Sequence, residues 1–385
     1  MRAGAILLLT VTSCHRRARV ALDQSVWCAQ AQQRQLFSPT GAGPAAALAA
    51  SLGRPQTFLI GVGNDLDGAP PEEALAYTLP VAVDLHYAYL TGLDGRGGWT
   101  EWNPDGSFVD RILDADRGRC VLSVFTLYAM AEDGEDSPSV LTDDDYMAAY
   151  WAGIDRLVAR LEGTGGPVVV HLEPDFWGFM QKRGAPGDIP AQVQAHQPAC
   201  ADLPDDVSGL GRCMVRRLQS VDGVFVGLHA SAWAGSAAET AAFLSAVGGD
   251  DADLIVVETL DRDAGCFEEG REPHCQREGG PWYWSETDFA AHLDWAGALH
   301  SASEKPLLWW QMPMGVPRHR PGGKEGTYRD NRVQYLFGNP EVFVAAGGIG
   351  AVFGKGADDQ TDLTSDGGQF QKAARAYYAA PVALP

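Results

Sequence analysis

The sequence is short of positive charge and lacks the motifs that most directly mark nucleotide or metal chemistry. It has 29 basic residues against 50 acidic ones, a net charge of −21, and this excess of acid disfavours nucleic acid as a partner. No run of about 20 apolar residues occurs, so no membrane-spanning helix is expected. CxxC pairs, an HExxH helix and a GxGxxG loop are also missing, which disfavours a zinc centre of those types and a dinucleotide cofactor.

Residues 1–14 have the order of an export signal: a basic residue, a short apolar run and small residues before a cysteine. The last four of them, VTSC, resemble the lipobox of bacterial lipoproteins, which implies a lipid anchor at Cys14 as the protein's contact with a membrane. A plain signal peptide or a misplaced start is the alternative. We expect an exported protein, located in the cell envelope or outside the cell.

Six cysteines follow Cys14, an even number that permits disulfides in an exported chain. Cys200 with Cys213, and Cys266 with Cys275, each bracket a short polar loop, so each pair is predicted to form a local disulfide. Cys120 begins an apolar run and is predicted to be a buried thiol.

Residues 15–55 read as an N-terminal linker or weakly structured segment, and residues 56–385 as one domain. Within that domain eight apolar runs begin near residues 58, 81, 120, 167, 223, 253, 306 and 348, with helical patterns between several of them. Strands that alternate with helices form right-handed parallel βαβ units. Eight units predict a (β/α)8 barrel, and the competing open sheet is disfavoured because no nucleotide-binding loop follows the first strand.

Ionisable and aromatic residues collect where these runs end, which in a barrel is the face that carries the chemistry. In an extended chain His171, Glu173 and Asp175 share one face, since strand side chains alternate. Carboxyls framed by aromatic rings suit the cleavage of glycosidic bonds, with a proton donor and a second carboxylate. The residues predicted to bind sugar are His86, Tyr87, Tyr89, Tyr128, His171, Trp177, His229, Trp309, Trp310 and Gln311.

The element HLEPD, residues 171–175, resembles the (I/H)xEP strand ends of several (β/α)8 glycoside hydrolase families. The resemblance implies that Glu173 is the proton donor at the end of strand four. Such enzymes commonly carry a second glutamate at the end of strand seven, where this sequence has Gln311 instead. The second carboxyl is therefore expected to be Glu258, at the end of strand six, with Asp175 as the other possibility.

Two other functions fit the same residues. A non-catalytic sugar-binding barrel would explain the missing acid on strand seven. A metal-dependent hydrolase would use histidines and glutamates of types that bind Zn²⁺ or Mn²⁺, namely His86, His171, His229, Glu173 and Glu258. The principal expectation is a glycosidase that acts on a poly- or oligosaccharide with no organic cofactor and no metal.

Overall fold

A computed structural model describes residues 23–36, 38–66, 68–131, 133–163, 165–270, 273–315, 332–355 and 361–385 of the chain. Eight parallel strands, each hydrogen-bonded to the next, close into a barrel in which β1 also pairs with β8. The prediction of a (β/α)8 barrel is confirmed. The strands are β1 (Leu59–Gly63), β2 (Leu85–Thr91), β3 (Leu122–Tyr128), β4 (Val168–Leu172), β5 (Val224–Ala230), β6 (Leu254–Val257), β7 (Leu307–Met312) and β8 (Gly348–Gly354).

Helices surround the barrel and cover the outer face of the strands, which are buried almost throughout because they are rich in valine, leucine and isoleucine. Short 3-10 turns complete several connections. The α-helices within the described residues are α1 (Gln24–Leu36), α2 (Pro44–Ser51), α3 (Trp99–Trp102), α4 (Ser107–Arg117), α5 (Asp144–Leu161), α6 (Phe176–Arg183), α7 (Val207–Gln219), α8 (Ala237–Ala246), α9 (Ala264–Glu269), α10 (Glu286–Ser303), α11 (Arg332–Gly338), α12 (Pro340–Ala345) and α13 (Gln369–Tyr377).

The segment before the barrel differs from the expectation of weak structure, since α1 and α2 both lie within it. Trp27 of α1 is fully buried and its ring meets that of Tyr77 edge-on, with centroids 6.2 Å apart. A disulfide between Cys28 and Cys120 ties α1 to the start of β3. The prediction that Cys120 is a free thiol is therefore wrong. The buried indole, this disulfide and an ion pair between Arg34 and the buried Asp84 hold a helix that is otherwise largely polar.

The two local disulfides predicted from the sequence, Cys200–Cys213 and Cys266–Cys275, are both present. None of the helices in the described ranges has the length and apolar character needed to cross a lipid bilayer. The export signal and the lipobox cysteine, Cys14, lie outside the described residues.

Candidate active site

The alternation of side chains along the strands decides which predicted residues face the barrel interior. Trp310 of β7 lies at the centre of an aromatic cluster there. Its ring centroid is 5.8 Å from that of Tyr89, 5.0 Å from His171 and 5.7 Å from His229. Tyr87 joins the cluster at 6.3 Å from Trp310. The structure thus brings together five of the residues predicted to bind sugar, drawn from four strands.

His86 is one residue out of phase with this cluster and faces the outer helices. It is buried between two carboxylates, with Nδ1 2.9 Å from Asp116 and Nε2 3.0 Å from Asp65. Burial opposes the charged imidazolium, but the two aspartates outweigh it and raise the pKa of His86 to about 10. His86 is therefore a structural cation, and its predicted contact with substrate is wrong.

Two predicted tryptophans also face away from the barrel interior. Trp177 donates its indole N–H to the carbonyl of Leu172 at 3.0 Å and is buried. Trp309 donates to Nε2 of His292, on α10, at 2.9 Å and is likewise buried. Both rings fill the layer between strands and helices, so the prediction that they bind sugar is wrong.

Glu173 does not reach the barrel mouth. β4 ends at Leu172, and a φ of +46° at Glu173 turns the chain out of the extended form. The carboxylate is fully buried and accepts hydrogen bonds from the backbone N–H of Met130 at 3.1 Å and from the Tyr150 hydroxyl at 3.0 Å. Burial raises the pKa of Glu173 to about 8. The geometry contradicts the role of proton donor, because solvent and substrate have no access to this carboxyl.

Asp175, two residues further along, does reach the mouth. Its own φ of +63° turns the chain again, just before α6 begins. Asp175, His229 and Glu258 form a cluster in which one carboxylate oxygen or ring nitrogen from each residue lies within 4.8 Å of the others. The Tyr128 hydroxyl is 3.2 Å from Oδ2 of Asp175. Asp175 and Glu258, which were predicted as alternative partners of Glu173, therefore lie close to each other.

The electrostatics of this cluster favour a protonated Glu258 and an uncharged His229. Burial, and next the neighbouring Asp175, raise the pKa of Glu258, while Arg262 lowers it with Nε 3.6 Å from Oε2. Burial lowers the pKa of His229 to about 4. A third carboxyl, that of Glu135, contacts the Tyr128 hydroxyl, and burial raises the pKa of Glu135 as well. The site thus holds acidic groups that keep a proton more readily than free carboxyls do.

A cavity of about 180 Å³ opens beside Asp175 and Glu258, and residues that the sequence reading missed line its walls. The half-buried Trp233 lies against α6, where a Cβ on Gly178 would come within 2.8 Å of the indole, so glycine is required for this approach. The guanidinium of Arg277 lies 4.7 Å from the ring centroid of Phe267 on another side.

Arg262, which also lines the cavity, has a recognisable sequence context. Arg262 follows β6 within the motif LDRD, directly between Asp261 and Asp263, and its carbon Cζ lies 5.7 Å from the ring centroid of Trp310. A basic residue inside an acidic strand end is a plausible partner for the carboxyls gathered there. No pattern in the sequence marks Trp233 or Phe267 in the same way.

A larger cavity of about 590 Å³ lies at the opposite end of the barrel, between α1, α13 and the segments that precede β1 and β2. Its walls include Arg34 and Tyr378 but none of the clustered carboxyls. Because the carboxyl ends of the strands carry the chemistry in this fold, the smaller cavity is the candidate active site.

Several buried polar atoms around the barrel mouth have no hydrogen-bond partner among the described residues. They are Tyr87 Oη, His229 Nε2, Ser231 Oγ, Trp310 Nε1 and Gln311 Oε1. Gln311 uses its other polar atom, Nε2, to donate to the carbonyl of Lys355 at 3.3 Å. Buried polar atoms are normally paired, so these five atoms are available to water or to a polar ligand at the barrel mouth.

No protein-family model matches the chain, and a comparison with curated proteins finds no match. Solved structures do resemble it. The catalytic domain of the family 26 endo-β-1,4-mannanase from Bacillus sp. JAMB-750 matches 89% of this chain and 91% of its own, with a TM-score of 0.51 and 12% identity. A modular family 26 endo-β-1,4-mannanase from Cellulomonas fimi matches 91% of this chain and 74% of its own, with a TM-score of 0.50 and 12% identity. At this identity the likeness establishes the shared barrel fold.

Proposed function

We propose that the protein is a retaining glycoside hydrolase in which Asp175 is the nucleophile and Glu258 the acid/base. The observation that carries the proposal is the separation of the two carboxyls, whose nearest oxygens lie within 4.8 Å at the barrel mouth. Retaining glycosidases hold their carboxyls about 5–5.5 Å apart, whereas inverting ones need about 6.5–9.5 Å to admit a water molecule. The short separation supports retention.

The two carboxyls have different surroundings, and these suggest their roles. Glu258 is buried, and its raised pKa supplies a proton for the departing sugar oxygen near neutral pH. In the first step a carboxylate oxygen of Asp175 bonds to the anomeric carbon while the glycosidic C–O bond breaks and its oxygen takes the Glu258 proton. In the second step water gives a proton to Glu258, bonds to the anomeric carbon and releases Asp175.

The surroundings of the dyad suit a sugar ring. Aromatic faces stack on the apolar faces of sugars, and Trp233 and Phe267 line the cavity. The unpaired polar atoms of Tyr87, His229 and Trp310 would meet sugar hydroxyls. The neighbouring structures are named as β-1,4-mannanases, so β-linked mannans belong among the first substrates to test. Three disulfides support an exported protein, and lipid anchoring at Cys14 is part of the same proposal.

The test is a screen of the purified protein on a panel of poly- and oligosaccharides, followed by the variants Glu258→Gln and Asp175→Asn on any substrate that is cleaved. Each variant should lose at least about 100-fold in kcat. Proton NMR of the first product should show the anomeric configuration of the substrate. A product of inverted anomeric configuration, or cleavage that persists in both variants, would contradict the proposed roles of Asp175 and Glu258. Binding of a glycan without cleavage would favour the non-catalytic barrel instead.

A further inference from the structure

Asp175, His229 and Glu258 together have a donor set that suits more than proton transfer. One imidazole nitrogen and two carboxylate oxygens converge within 4.8 Å from the ends of three different strands. We infer that these three side chains bind a divalent ion of the zinc or manganese class. The binding is independent of the proposed glycosidase activity; its consequence for that activity rests on the proposal above.

The nitrogen that faces the carboxyls is buried and lacks a partner in the described part of the chain. His229 is fully buried, and its Nε2 makes no hydrogen bond there. Oε1 of Glu258 lies 4.0 Å away, too far for a hydrogen bond but suitable for an ion between the two atoms.

Each of the three residues also has a second atom held by a neighbour, an arrangement that orients metal ligands. Nδ1 of His229 is 3.0 Å from Nε2 of His171. If His171 keeps its own proton on Nδ1, towards Thr126, then Nδ1 of His229 donates and Nε2 presents a lone pair.

The carboxyls follow the same pattern. Oε2 of Glu258 faces Arg262 at 3.6 Å, which leaves Oε1 directed towards His229. Oδ2 of Asp175 is 3.2 Å from the Tyr128 hydroxyl, and Oδ1 has no hydrogen bond within the described ranges. One atom of each residue thus faces a polar or charged neighbour, and another remains for an ion.

The geometry requires a modest closure on binding. Ligand atoms about 2.1 Å from a tetrahedral zinc ion lie roughly 3.4 Å from one another. The present separations reach 4.8 Å, so the three side chains must close by about 1.4 Å at most. Three protein ligands leave at least one position for water, which is typical of open rather than structural sites. An ion here would occupy the space between the two carboxyls and neutralise both, so it should inhibit the proposed dyad.

The experiment uses the full chain, treated with a chelator that is then removed. Zn²⁺ and Mn²⁺ are titrated separately by calorimetry, and the stoichiometry is checked by elemental analysis after gel filtration. We expect one ion per chain for at least one of the metals. His229→Gln and Asp175→Asn should each weaken binding by at least tenfold. His196→Gln is the matched control, because His196 is a partly exposed histidine beside the carboxylate of Asp144 and is not a member of this cluster.

Circular dichroism spectra that match that of the wild type establish that the variants are folded. If His229→Gln does not fold, the comparison of Asp175→Asn with the control still tests the site. Binding that is absent, or equal in all three variants, overturns the inference. The two proposals separate cleanly in the same experiment. Cleavage by the chelator-treated protein tests the carboxyl dyad, whether or not a metal binds. If cleavage requires the ion, the metal site is retained, but the expected inhibition and the metal-free mechanism of the proposed dyad are both wrong.

Discussion

Replacing Glu173 by glutamine tests whether this residue is the proton donor, as predicted from the sequence, or a buried structural carboxyl, as the structure indicates. As the proton donor, Glu173 would be needed for catalysis. In the structure it is a buried group that fixes the loop after β3, through the backbone N–H groups of Ala129 and Met130, to Tyr150 of α5. The structure therefore predicts that Glu173→Gln changes stability and its pH dependence, and leaves kcat within a few-fold of the wild type.

The size of the effect follows from the pKa. The folded state holds the proton with a pKa of about 8, against 4.5 for a free side chain. A raised pKa makes the folded state bind the proton more tightly, so the free energy of unfolding is greatest below pH 4.5 and falls as the pH rises to 8. The fall amounts to at most about 5 kcal/mol, since each pKa unit is worth about 1.4 kcal/mol. Glutamine cannot ionise, so the variant lacks this fall.

Glutamine also brings a cost at low pH. Two backbone N–H groups point at the two carboxyl oxygens, and in the variant one N–H would meet the amide NH₂, which cannot accept, whereas the hydroxyl oxygen of the protonated carboxyl still can; the cost is about 1–3 kcal/mol. Wild type should therefore be the more stable protein at pH 4.5 and the less stable one at pH 9.

Urea unfolding followed by tryptophan fluorescence at pH 4.5, 7 and 9 measures this crossover. Wild type is the matched reference, because every other titrating group is common to the two proteins. Parallel stability curves for the two proteins would refute the pKa argument. A loss of 100-fold or more in kcat with an unchanged fold would restore Glu173 to the active site.

Three further predictions concern the frame and the rim of the site. His86→Gln should destabilise the protein at pH 6 by up to about 5 kcal/mol, and by progressively less as the pH rises from 6.5 to 10. The reason is that a raised histidine pKa stabilises the folded state only where the imidazolium persists. Urea unfolding at pH 6 and at pH 10 measures the difference. Replacing both Cys28 and Cys120 by serine should lower the free energy of unfolding by about 4–5 kcal/mol, because the disulfide joins residues 92 positions apart, and should leave cleavage activity unchanged. Thermal unfolding and a glycan cleavage assay measure the two effects. Trp233→Ala should raise KM about tenfold with kcat nearly unchanged, Trp233→Phe should retain most of the affinity, and a loss confined to kcat would contradict a role in stacking.

The barrel could be predicted from the sequence because its signal is repetitive. Eight apolar runs alternate with segments of helical pattern, and an error in the assignment of one run would not have changed the predicted fold. Tyr89, His171, His229 and Trp310 were among the strand-end residues predicted to bind sugar, and the structure brings these four side chains together. Such residues lie inside strands, where period-two geometry holds.

The errors lie where that geometry ends. Glu173 and Asp175 each adopt a positive φ, which residues other than glycine rarely do, and each turn reverses which way the next side chains point. The motif HLEPD gives no sign of those two angles. His86 and Trp309 failed for a simpler reason: each is adjacent to an inward-facing aromatic residue, Tyr87 or Trp310, and the phase of a short strand is ambiguous when both neighbours are plausible.

Glu173 and Glu258 show why a shifted pKa alone does not identify a catalytic acid. Burial raises the pKa of both carboxyls, and for both it is the largest cause. Their partners differ. Glu173 is fully buried and accepts hydrogen bonds from two backbone N–H groups and the Tyr150 hydroxyl, so a bound molecule has no access to its proton. Glu258 makes no hydrogen bond among the described residues, and it faces a cavity, a second carboxyl and an arginine. A proton held in that setting can be passed to a bound molecule, and this difference favours Glu258 over Glu173 as the acid of the proposed dyad.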